Sequence, residues 1–404
     1  MRTIALIEIG NDGHREAYMR YFISACLDLD CQVVCLIPET DSIKKWVDEN
    51  YPDKKDNVVY QPIIYFRNKF SAAGRLRERF NILHNWYYLR QIINGIEKKE
   101  GFKIDLVFFN FLDAYLINYT PLFVLDALLG KKWSGIYFFP AFLRLDPSLL
   151  SEKTKLRSRD HSLASKNCLA IGIHDEGILD NFSKRLGNKK ILLFPEVADL
   201  TRPDDTDPFR HRILQSSNGR IVVGNIGLEK HKGNYEMMRL AKAADPTKYF
   251  FVFTGRDDGT LLEFLNPGQA GELKEFMNHL PENCIWHAAV FCEGTQFNAV
   301  ISAFDIVYMI YTHFYGASNR LTKAANFQKL ILADDKYCIG DVVKQYDLGE
   351  AVPDTETTTL VIALDRLRKR TENKDFPYKK WSDFLSANSY EILRLRFKEL
   401  LELL

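Results

Sequence analysis

The 404 residues read as an α/β protein of two doubly wound parallel-sheet domains, and three observations carry that reading. The length exceeds what one hydrophobic core normally organises. Short apolar runs rich in β-branched residues alternate with stretches of helical length, which is the rhythm of parallel strands joined by crossover helices. Between two such series, residues 198–219 hold Pro203, Pro208 and a run of Asp, Thr and Ser, the chemistry of a linker. The predicted domains are 1–200 and 201–378, followed by amphipathic helices from about 379 to 404.

The composition sets bounds on function. Apolar residues at 46% and charged residues at 26% describe a globular chain. A formal charge of +1 argues against a nucleic-acid partner, which requires a concentrated positive face. Cys26, Cys31 and Cys35 lack ligand spacing and no Cys-x-x-Cys occurs, so no metal site is expected. Met1-Arg2-Thr3 leads directly into a strand-like run, without the features of a signal peptide. A reduced, cytoplasmic protein is the expectation, and no window reaches the roughly 18 apolar residues that span a bilayer.

In the first domain, Thr3 to Ile9 predicts a strand, Gly10-Asn11-Asp12-Gly13 a turn, and His14 to about Leu27 a helix. Further strands are expected at Gln32 to Ile37, Asn57 to Phe66, Asp105 to Asn110, Gly135 to Phe139, Cys168 to Ile173 and Ile191 to Phe194. The glycine turn lacks the Gly-x-Gly-x-x-Gly spacing, so a dinucleotide fingerprint is not supported. From Arg67 to Arg90 the chain is basic and aromatic, with Leu76, Phe80, Leu83 and Tyr87 at helical spacing among arginines. Such a segment forms either a membrane-surface helix or a core-packed helix with a solvated basic face. Glu78, which interrupts the positive run, favours the second.

The second domain starts with a strand at Arg220 to Val223. A glycine-bounded turn, Gly224 to Gly233, with Lys230, His231 and Lys232, then leads into a helix from about Asn234 to Ala244. Tyr249 to Thr254 and Cys284 to Phe291 read as strands. Asp305 to Ile310 is a nearly unbroken apolar run, as in a strand buried on both faces. After it come Gly316 and Ser318, helical spacing from Asn319 to Gln328, and a second buried run from Leu330 to Ala333. This is one βαβ unit, with Ser318 as N-cap of a helix whose free N–H groups suit an anion.

This last segment, with the Lys232-Gly233 turn, resembles the donor-binding half of GT-B glycosyltransferases, in particular the retaining family 4 class. The resemblance implies two Rossmann-like domains facing a cleft, with the last helices crossing back onto the first. It implies that Lys232, Ser318 and Asn319 hold a donor diphosphate, with Arg320 and Thr322 on the same helix start. Gly316 would allow close backbone approach, and Lys230 or His231 would stand for the family's arginine. Where the family carries two glutamates, this chain has Tyr315 and Lys323. An ammonium donates only, so Lys323 cannot accept from a ribose hydroxyl as that glutamate does.

On the first domain the resemblance places Gly13 and His14 at the cleft and makes Asp113 a candidate beside the acceptor sugar. A carboxylate past a strand end also commonly serves as a cap. The implied activity is transfer of a sugar from a UDP or GDP sugar to a glycan, lipid-linked or small-molecule acceptor, retaining and without metal or other cofactor. Two other readings stand beside it: a binder of nucleotide sugars or glycans without catalysis, and a sugar-nucleotide epimerase.

Overall fold

The computed structural model describes residues 1–11, 14–66, 74–140 and 158–404. They form two compact units, Met1–Val197 with Asn388–Leu404, and Ala198–Ala387.

The first unit contains β1 (Thr3–Ile7), β2 (Gln32–Ile37), β3 (Val58–Pro62), β4 (Leu106–Phe109), β5 (Trp133–Ile136), β6 (Cys168–Ile173) and β7 (Lys190–Leu193). All are parallel, in the order β3-β2-β1-β4-β5-β6-β7. Their unbroken apolar runs follow from burial on both faces. Ile4 and Leu6 of β1 enter one core cluster, while Ala5 and Ile7 enter the other. β2 and β6 span the residues expected from the sequence. β5 starts two residues earlier than expected, because buried Trp133 pairs with Val107 and the chain leaves the sheet after Ile136. β3 stops at Pro62, whose nitrogen has no hydrogen to donate to a ladder.

Helix Gly74–Glu100 covers much of the expected basic and aromatic segment; residues 67–73 lie outside the described part, as do the side chains of 74–77. Its buried face is Ile82, Trp86, Leu89, Ile93 and Ile96. Phe80 and Tyr87, expected on the apolar stripe, are exposed, so the stripe lies elsewhere on the helix than predicted. Among the described basic residues, Arg79 stacks on Tyr119, and the Arg90 guanidinium donates to the Ala127 carbonyl at 2.8 Å. Among the described residues no helix is long and apolar enough to cross a membrane.

The second unit has β8 (Ile221–Leu228), β9 (Tyr249–Asp257), β10 (Cys284–Ala288), β11 (Ile306–Met309), β12 (Leu330–Asp334) and β13 (Gly349–Val352). They too are parallel, in the order β10-β9-β8-β11-β12-β13. Two expectations are corrected here. β8 runs on through Gly224 to Leu228, where a turn was predicted; a Cβ on Gly255 of β9 would lie 2.5 Å from the Gly227 nitrogen, so glycine keeps these strands in contact. The presumed linker holds helix Pro208–Ser217, capped by the Asp207 carboxylate on the Arg210 N–H at 2.7 Å. Its Phe209 and Ile213 belong to the second unit's core. β13 was missed because Gly349-Glu350-Ala351-Val352 is short, polar and on the sheet edge.

Helix Tyr390–Leu401 belongs to the first unit. Phe397 is fully buried there, with its ring 4.9 Å from that of Phe108, 5.4 Å from Phe22 and 5.7 Å from Phe194. Arg396 donates to the Leu193 carbonyl at 2.9 Å, and Tyr390 to Asp28 at 2.6 Å. Truncating a fully buried phenylalanine costs about 3–5 kcal/mol. Phe397→Ala is therefore expected to lower the urea midpoint of the first unit strongly, with the second unit's transition unmoved.

Candidate functional site

In a doubly wound sheet, the crevice opens at the carboxyl ends of the two strands where the order reverses. In the second unit these are β8 and β11, adjacent in the sheet and far apart in sequence. β8 is followed by the turn Glu229 to Lys232 and by Gly233, which has φ +59 and caps helix Asn234–Ala243. A Cβ there would fall 2.1 Å from the Ile310 carbonyl, so only glycine allows this turn to close on the chain leaving β11. His231 and Thr312 seal the contact: the Thr312 N–H donates to the His231 carbonyl at 3.0 Å, and His231 Nδ1 lies 2.9 Å from the Thr312 carbonyl.

The turn delivers Lys232 to Tyr311. Its ammonium lies 4.1 Å from the centre of the Tyr311 ring and 5.4 Å from that of Phe314. From the other side, Arg320 Nη1 donates to the Tyr311 hydroxyl at 2.6 Å. Ser318 also hydrogen-bonds that hydroxyl. Ser318 occupies the N-cap of helix Asn319–Asn326 with extended backbone, but its side chain does not cap the helix as expected. Two cations and a helix N-terminus thus converge on one tyrosine, Arg320 at its oxygen and Lys232 over its ring. Burial lowers the Lys232 pKa, and the Arg320 charge adds to that effect. Burial alone would raise the Tyr311 pKa, but Arg320, Lys232 and the Ser318 hydrogen bond outweigh it and the net shift is downward.

The remaining predicted residues divide clearly. Lys230 pairs with Glu263 at 2.5 Å, its ammonium 5.2 Å from the centre of the Phe264 ring, and His231 is occupied by Thr312. The second cation beside Tyr311 is Arg320. Asn319 and Thr322 are buried in the first turn of the same helix, and Gly316 is buried in the loop before it. Lys323 is turned inward. Its side chain is fully buried and its ammonium meets the Asp199 carbonyl at 2.7 Å, Asn298 Oδ1 at 2.6 Å and Glu293 Oε1 at 2.7 Å. An ammonium has three protons, so these contacts leave none for a phosphate and Lys323 is a structural anchor.

In the first unit the corresponding edge lies at β1 and β4. Glu8, just past β1, is 2% exposed and takes the Arg15 guanidinium at 2.6 Å. Burial raises its pKa to about 7 against the pull of Arg15. Asp113 accepts the Phe138 N–H at 2.8 Å and the Phe139 N–H at 2.9 Å. Burial raises it to about 6 while these N–H groups pull it down. Both its oxygens thus hold the chain after β5, which is the work of a cap and leaves the catalytic role predicted for it without geometric support. His14 begins helix His14–Asp28, and Gly13 lies outside the described residues. Tyr311, Glu8 and Arg15 were missed from sequence; Glu8 had a signal, being a charge inside an apolar run.

No protein-family model matches the chain, and no curated protein matches it in sequence. Solved structures do. Sucrose-phosphate synthase from Thermosynechococcus elongatus is similar at 14% identity and TM-score 0.67, over 100% of this chain and 98% of that one. The chain has the GT-B fold. A glycosyltransferase from Rickettsia africae is similar at 12% identity and TM-score 0.66, over 100% of this chain and 98% of that one. HepE from Anabaena, solved with UDP, is similar at 12% identity and TM-score 0.67, over 100% of both chains. In this GT-B chain the cationic cluster occupies the β8/β11 switch point of the second sheet.

The roles of the two lysines can be separated by stability. Breaking a buried ion pair costs about 3–5 kcal/mol, whereas an exposed pair contributes about 0–1 kcal/mol. Lys323→Met is expected to destabilise the second unit strongly in chemical denaturation, and Lys230→Ala hardly at all. Glu8 carries a pH signature. Its folded pKa, about 7, stands above the ordinary 4.5, so the associated stability is present below pH 4.5 and lost as pH rises through about 7. The loss is about 3 kcal/mol at 1.36 kcal/mol per unit. Glu8→Gln is expected to flatten the stability profile across that range.

Proposed function

We infer that this chain is a glycosyltransferase that moves a sugar from a UDP or GDP sugar to a glycan, lipid-linked or small-molecule acceptor. The carrying observation is the meeting of Lys232 and Arg320 at the start of helix Asn319–Asn326. Negative charge grows on the leaving diphosphate as the sugar–phosphate bond lengthens. Two fixed cations and a helix N-terminus stabilise that charge more in the transition state than in the ground state. They supply the positive charge that a divalent metal provides elsewhere, so the transfer is proposed to proceed without one.

Retention of configuration follows the same reading. With the diphosphate held in place, its own oxygen takes the acceptor proton on the face from which it departs, and the protein's part is positioning and charge stabilisation. HepE has been solved with UDP and with UDP-glucose, which supports a nucleotide-sugar donor here. Tyr315 and Lys323, in place of the expected glutamates, favour a second reading in which the chain binds a nucleotide sugar without transferring it. Calorimetry with UDP and GDP sugars, joined to transfer assays across an acceptor panel, separates the two.

Removing one group that stabilises developing charge costs about 10²–10³ in turnover. Lys232→Ala and Arg320→Ala are each expected to lower kcat by that order with the fold intact by circular dichroism. Unchanged rates in both variants would remove the cluster from the reaction.

A further inference from the structure

We propose that Tyr311 is a positioning residue: its phenol oxygen holds Arg320 and its ring face holds Lys232 in the free protein, and it releases both cations to the phosphates of an incoming nucleoside diphosphate. The inference rests on the diphosphate reading of this site. Arg320 Nη1 stands 2.6 Å from the oxygen, Ser318 hydrogen-bonds to it, and the Lys232 ammonium lies over the ring face, 4.1 Å from its centre. Guanidinium and ammonium groups only donate. A neutral phenol has one proton and two lone pairs. It can therefore accept from Arg320 while giving its own proton to Ser318 Oγ, whereas a phenolate accepts from both and attracts the Lys232 ammonium over its ring.

The surroundings make this oxygen necessary. Tyr311 is 4% exposed and Arg320 8%, so without the oxygen two like charges would stand close together in a poorly hydrated place. Arg320 faces the phenol from its helix, Lys232 faces it from the turn after β8, and the Glu229 carboxylate faces Lys232 in turn. The Phe314 ring packs edge-on at 5.3 Å and brings no charge. A diphosphate offers both cations better acceptors than a phenol. Once they turn to it, nothing favours the phenolate, and the proton affinity of the oxygen rises.

The sign follows from linkage. The cations hold the proton affinity of Tyr311 down in the free protein, and bound phosphates neutralise them, so that affinity rises on binding. Protons are taken up between the lowered value and the usual phenol value of about 10. Above the lowered value, binding weakens by up to about tenfold per pH unit for the one proton concerned.

The test is a titration of the full chain with UDP, and in parallel with GDP, at pH about 9, below the usual phenol value. It is followed by tyrosinate absorbance in the near ultraviolet and by calorimetry in two buffers of different ionisation enthalpy. Tyrosinate absorbance is expected to fall and saturate with binding, with net proton uptake. Lys232 contributes to the uptake as its own pKa recovers, and the absorbance isolates Tyr311. Tyr311→Phe keeps the ring and its contact with Lys232; it is expected to bind with flat absorbance and a shallower fall of affinity with pH. Should that variant not fold, the wild-type absorbance decides. Binding by the wild type with unchanged absorbance, or the same change in Tyr311→Phe, overturns the inference alone. Failure of the wild type to bind either nucleotide overturns the diphosphate reading and the inference with it.

Discussion

The mutual repulsion of two desolvated cations is the constraint on which the second unit's site is built. Lys232 and Arg320 are brought together from opposite sides of the switch point, where little water screens one charge from the other. Three features contain that cost. The aromatic faces of Tyr311 and Phe314 receive the ammonium, the phenol oxygen receives the guanidinium, and the tether between His231 and Thr312 fixes the turn. A place that concentrates positive charge in this way, at the mouth of a parallel sheet, is suited to an anion.

The two sheets follow one topological rule and diverge in chemistry. At the reversal of the second sheet the polar groups are cationic, while at that of the first a buried glutamate lies against an arginine. The shared architecture dictates where the crevice lies and leaves its charge to a few residues past the strand ends. This separation is why similarity at 12–14% identity is informative about fold and silent about substrate.

Most of the strands were legible in the sequence because burial on both faces leaves apolar runs that turns interrupt. The exceptions have physical reasons. β8 and β9 outlast their apolar cores, since glycine at 227 and 255 suits a close strand pair as well as a turn. The helix Gly74–Glu100 has apolar residues on more than one face, so periodicity alone could not choose between Phe80 and Trp86. At the site, Lys232, Ser318 and Arg320 were readable because they follow glycine-bearing loops after buried runs. Tyr311 was not, because an aromatic at the end of such a run looks like core until the cations beside it are known. The inward turn of Lys323 depends on Asp199, Glu293 and Asn298, partners that no local pattern reveals.

The last helix gives the molecule an unusual order of completion. The second unit is an insertion within the first, since residues on both sides of it, Val197 and Asn388, belong to one body. A ribosome emits the whole insertion before it emits Phe397, whose ring fills the space among Phe22, Phe108 and Phe194. The half made first is thus finished last, and during synthesis it carries an unfilled apolar recess for the time needed to translate nearly two hundred residues, about 10–40 s at 5–20 residues per second. Nascent chains of this protein pass through a long stage in which a chaperone would find its target on the amino-terminal body.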